Sequence, residues 1–199
     1  MKICKLLLAA VGATVLLGVL VSTASAGRLE INETRISAMW RSVEFGGAFG
    51  TIRCQVTLDG TLHSRTMVKT LGTLMGYITR AILGPCSSGS ATILTETLPW
   101  HVRYSGFSGA LPEITSLIVH VIGASFRIRE IGGITCLARS SAEKPAVITF
   151  HRTLIGLVLR EAGISGRIPT TCGPEGTFTS DSGTVSRSNI EFGVDVSLI

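Results

Sequence analysis

Near its end the chain sets Ile190, Phe192, Val194, Val196 and Leu198 in strict alternation with Glu191, Gly193, Asp195 and Ser197. A period of two puts each set on its own face of a strand, so this segment reads as half-buried β-structure and not as helix. The alternation recurs. Trp100, Val102 and Tyr104 interleave with His101, Arg103 and Ser105, and Phe126 and Ile128 interleave with Arg127 and Arg129. Strands are also expected at Ile36–Phe45, Ala91–Thr95 and Leu117–Ile122. One hairpin is predicted to turn at Leu58-Asp59-Gly60, a register that keeps Val56 and Leu62 on one face and points Cys54 towards the core. A second joins Ser125–Glu130 to Ile134–Leu137 across Gly132-Gly133.

Two stretches are ambiguous. Met67, Leu71, Leu74 and Ile78 fall at helical spacing, but Gly72 and Gly76 weaken a helix. The reading taken is a short helical turn near Ser64–Lys69 and then a strand to Leu83. Thr153–Glu161 is compatible with either state, with Gly156 against a helix. Arg139 to Pro145 is a polar loop. The expected fold is a single all-β domain, an antiparallel sandwich or closed barrel of about 8–11 short strands with at most one or two short helices.

At the other end Lys2 and Lys5 precede an apolar run, Leu6 to Val21, followed by Ser22-Thr23-Ala24-Ser25-Ala26. This order of charge, apolar stretch and small residues is that of a secretory leader, here 1–26, cleaved after Ala26 to leave 27–199. The run is short of the roughly 20 residues that span a bilayer. No transmembrane segment is therefore expected once the leader is gone. Export permits disulfides, and Cys54, Cys86, Cys136 and Cys172 suffice for two. Four cysteines allow three pairings; the nearest-neighbour one, Cys54–Cys86 with Cys136–Cys172, is favoured.

The net charge of +5 on 199 residues is mild, and the arginines form no run, which argues against a nucleic-acid partner. No catalytic, metal or cofactor motif is present. The cysteines lack zinc spacing, and Gly106-Phe107-Ser108-Gly109 lacks the elbow spacing of a serine hydrolase. Gly46-Gly47-Ala48-Phe49-Gly50 lacks the lysine of a phosphate loop. His63, His101, His120 and His151 stand apart in sequence. The densest recognition segment is Leu98 to Tyr104. There Trp100 and Tyr104 form a candidate apolar binding face, and His101 and Arg103 a candidate polar one.

That segment, with Gly109-Ala110-Leu111-Pro112-Glu113-Ile114-Thr115 and Cys172-Gly173-Pro174-Glu175-Gly176-Thr177-Phe178, resembles a loose group of uncharacterised exported β-rich proteins of high-GC, actinobacteria-like bacteria. The resemblance implies export, a bacterial origin and a four-cysteine β-domain, and brings no activity. The function expected is that of a secreted or cell-surface domain, a non-enzymatic binding or envelope protein. The alternatives are a barrel carrying a small apolar ligand and a secreted hydrolase using His101 or His151 with a distant serine or glutamate.

Overall fold

A computed structural model describes residues 28–48, 50–109, 114–129, 132–152, 158–187 and 194–198. The expected leader, Ile190 and Phe192 of the last alternating run, and residues 153–157 lie outside them. In chain order the strands are β1 (Arg28–Ile31), β2 (Arg35–Gly47), β3 (Gly50–Leu62), β4 (Thr66–Val68), β5 (Leu74–Cys86), β6 (Ser90–Ile93) and β7 (Trp100–Ser108). They continue with β8 (Ser116–Ile122), β9 (Ser125–Arg129), β10 (Thr135–Arg139), β11 (Ala146–Arg152), β12 (Val158–Thr170), β13 (Gly173–Arg187) and β14 (Val194–Leu198). A single 3-10 turn, Thr95–Thr97, is the one helical element among the described residues.

Antiparallel ladders run β2-β3-β5-β7-β8-β11-β12-β13, and β13 pairs back onto β2. The sheet thus closes on itself as an eight-stranded up-and-down barrel, the closed form of the expected all-β fold. Closure leaves these strands no long free edges. Alternation supplies the two faces. On β8, Leu117, Val119 and Val121 point inward, while Ile118, His120 and Ile122 are half-exposed. Bulges reset the phase where the pattern slips: Arg41 and Ser42 together oppose Gln55, so Trp40 and Val43 both face the core.

The two ends are covered. At one, the β9–β10 hairpin carries Phe126 between opposite walls. Its ring lies 5.4 Å from Phe45 on β2 and 5.6 Å from Trp100 on β7. This hairpin turns at Gly133, which has φ +87°, as the Gly132-Gly133 signal predicts. At the other end β1 pairs with both β4 and β14, and buries Leu29 and Ile31 fully.

Both disulfides form in the favoured pairing. Cys54–Cys86 bridges directly opposed residues of β3 and β5, and Cys136–Cys172 ties β10 to the turn between β12 and β13. They close loops with sequence separations of 32 and 36. Each is worth about 3–4 kcal/mol in the chain-entropy account.

Two local expectations are corrected. Asp59-Gly60 is not a hairpin turn: β3 runs through it to Leu62, and Val56 pairs with Trp40 and Leu83 rather than with Leu62. Gly60 serves a close approach instead, since a Cβ there would meet the Tyr77 carbonyl oxygen at 3.1 Å. Residues 66–68 are extended and not helical, because Met67 pairs with Leu29 of β1. The helical spacing came from two strands separated by a turn at Gly72, φ +80°. The Arg139–Pro145 loop is found, closed by Ser141 N–H donating to the Lys144 carbonyl at 3.0 Å.

Candidate functional site

Two surfaces compete for function in such a barrel, the lumen and the outer wall. Trp100 and Tyr104 face inward and are 1% and 5% exposed. Trp100 Nε1 donates to Thr97 Oγ1 at 2.8 Å, and its ring meets Phe126 edge-on. It helps to close that end. Burial pushes the Tyr104 phenol above its ordinary 10.0. The lumen retains an apolar cavity of about 60 Å³ whose walls include Ile31, Ile36, Leu58, Met75, Val119 and Ile148. Sites for drug-sized ligands run to about 300–1,000 Å³, so this cavity among the described residues is well below that size.

His101 and Arg103 lie on the outer face of β7, as the alternation predicts. The ladders set Arg35, Thr61, Tyr77 and His101 side by side across β2, β3, β5 and β7. His63, two residues beyond Thr61, turns its ring edge-on to Tyr77 at 4.9 Å, and Tyr77 lies 5.4 Å from His101. Three rings therefore form a row on the outside of the barrel. Arg103 stands opposite His120.

Beside this row runs a groove of about 260 Å³, lined by Arg35, Ser37, Asp59, Thr61, Thr79 and Ser186, with the backbone of Gly60 in its floor. Its cause is a bulge. Asp59 pairs with Arg80 and Gly60 with Ile78, which leaves Thr79 as the extra residue of β5. Asp59 is held in place: Ser37 Oγ donates to its Oδ1 at 2.6 Å, and Arg80 approaches Oδ2 at 3.5 Å. Thr79 Oγ1 donates to the Asp59 carbonyl at 3.4 Å. Asp59, Ser37, Thr61 and Tyr77 were not singled out as site residues from sequence. The Asp59-Gly60 pair was visible only as a turn signal.

A second hollow of about 310 Å³ lies where Met39, Arg41, Ser42, Glu161 and Thr184 meet, with His151 of β11 opposite Glu161. On β7 a further bulge makes Ser105 the extra residue, and its Oγ lies 2.9 Å from His120 Nε2. Burial holds the His120 imidazole below its ordinary 6.5. The hydrolase expectation named His101, whose ring lies 5.4 Å from that of Tyr77, and His151, which stands opposite Glu161 on β12. Among the described residues no three His, Cys, Asp or Glu side chains are placed to hold a metal ion. Nor does any helix among them have the length and apolarity to cross a membrane.

No family model, curated protein or solved structure matches the chain.

Proposed function

We propose that this protein is exported, loses its leader and works outside the cytosol as a disulfide-stapled barrel that binds a partner through its outer wall. On this reading the resemblance to exported four-cysteine β-rich proteins of actinobacteria-like bacteria reflects a shared role at or beyond the cell surface. The observation that carries it is the contrast between the two surfaces. The luminal cavity among the described residues is small and apolar, whereas the outer wall holds a groove with an anchored carboxylate and several hydroxyls, and a row of rings beside it. Polar groups that converge beside rings are suited to recognition. A second reading, carriage of a small apolar ligand, is favoured by the apolar cavity and would require β1 to move away from it.

Fractionation of cells producing the full chain tests the proposal. The expected product lies in the medium or envelope, begins at Gly27, and carries the Cys54–Cys86 and Cys136–Cys172 bridges with no free thiol among them. A cytosolic product with its leader intact and with Cys54, Cys86, Cys136 and Cys172 all free thiols would overturn it.

A further inference from the structure

We propose that the groove lined by Arg35, Ser37, Asp59 and Thr61, with Tyr77 beside Thr61 at its border, is a carbohydrate site, and that its ligand is a polyhydroxylated ring of the kind that makes up cell-envelope and extracellular polysaccharides. The inference rests on the binding reading above and adds to it the place and chemical class of the ligand.

The chemistry of the groove narrows the choice. Thr61 and Ser186 offer hydroxyls that both donate and accept, while Ser37 and Thr79, whose protons go to Asp59, offer acceptor oxygens. Asp59 is an acceptor whose oxygens receive Ser37 and Arg80 at one site each, and an ionised carboxylate has about four lone-pair sites. It can therefore still accept from a ligand hydroxyl. Arg35 supplies donors on the opposite side of Thr61 from Tyr77. With Asp59 paired to Arg80 and Arg35 nearby, the groove combines charges of both signs with hydroxyls rather than presenting a field of one sign. A purely apolar ligand would desolvate the remaining acceptor sites of Asp59 and the donors of Arg35 without replacing their water, at a cost. A ring of C–H bonds edged with hydroxyls matches both parts of the site: hydroxyls to Asp59, Ser37 and Arg35, and a C–H face to the rings.

The placement is also suitable. Asp59 and Thr61 are two residues apart on one face of β3, about 7 Å along the strand, and Thr61 pairs with Tyr77 on β5. Polar floor and ring row are thus separated by about one sugar width. The volume of about 260 Å³ is small for a ligand site and suits one ring, and the open outer wall leaves the neighbouring units of a polymer outside it. Ser37 and Arg80 hold the Asp59 carboxylate in place, which limits the side-chain freedom it can lose on binding.

The test uses the oxidised mature protein, titrated by nuclear magnetic resonance with chitotetraose, cellotetraose and mannotetraose, each to about 10 mM, where millimolar affinity is readable. Binding of at least one sugar with shifts centred on Ser37, Asp59, Thr61 and Tyr77 is expected. Asp59→Asn and Tyr77→Ala are each expected to weaken it by about tenfold or more, and Glu161→Gln in the other hollow to leave it unchanged. Melting curves of each variant identify loss through misfolding, and Asp59→Asn keeps the shape of the site if Tyr77→Ala does not fold. Absence of binding to all three sugars, or binding unaffected by Asp59→Asn, would overturn the proposal. Pull-down on purified cell envelopes separates the two levels. Envelope binding that survives Asp59→Asn sinks the sugar site and leaves the outer-wall reading standing, whereas no envelope binding and no sugar binding sinks both.

Discussion

Trp40 shows how single residues hold this barrel. Its indole lies over Gly183 on β13 and donates from Nε1 to the Ala162 carbonyl on β12 at 2.7 Å, beside a bulge. One side chain thus ties three strands, and it does so because position 183 has no side chain: a Cβ there would lie 2.4 Å from Nε1. Gly183→Ala is therefore expected to destabilise the fold by about 1–3 kcal/mol, as overpacking of a filled core does. Gly132→Ala, where a Cβ meets nothing within 4 Å, is expected to change little. Urea unfolding of the two variants checks the contrast. His120 provides a pH-dependent case. Burial lowers its pKa from 6.5, so as the pH falls below that value the unfolded chain takes up the proton first and the folded state loses stability. Arg103 opposite it adds a like charge nearby, and Ser105 accepts from or donates to its ring. Comparing unfolding midpoints at about pH 7.5 and about pH 5.5, His120→Gln is expected to lose less stability on acidification than the parent. An equal loss in both would rule out this contribution of His120.

At the scale of elements, the short β1 matters beyond its length. It joins β4 to β14 and puts Ile31 against the luminal cavity. Ile31→Ala would remove buried methyl groups next to an existing void, with an expected cost of about 2–5 kcal/mol by thermal or urea unfolding. A cost under about 0.5 kcal/mol, typical of a surface position, would show that β1 is not a structural plug. The elements also explain what could be read in advance. Trp100–Ser105 and the β9–β10 hairpin were legible because alternation and a Gly-Gly turn are local signals. Asp59-Gly60 misled because it is an equally local turn signal, overridden by the pairing of β3 with β2 and β5 on both sides. Residues 66–68 misled in the same way: their strand exists only through β1.

For the whole molecule, the all-β class followed from the pattern of short alternating segments, whereas sequence proximity only favoured one of three disulfide pairings, the one the structure has. The groove did not. Ser37, Asp59, Tyr77 and His101 are each isolated polar or aromatic positions in the chain. An up-and-down order makes β2, β3, β5 and β7 consecutive neighbours, and period two then points all four residues outward. The candidate apolar face of Trp100 and Tyr104 was legible as a face, but which side of the sheet it took depended on closure. Closure is thus the claim on which the small luminal cavity and the proposed outer-wall site both depend. The most direct measurement is a search for backbone nuclear Overhauser contacts in one sample across both ladders that complete the ring, between Ile148 and Ile164 on β11 and β12 and between Ala38 and Val185 on β2 and β13. Both sets are expected, with slowly exchanging amides along each strand. Loss of either set, with fast exchange along a free strand edge, would mean an open sheet and contradict the account.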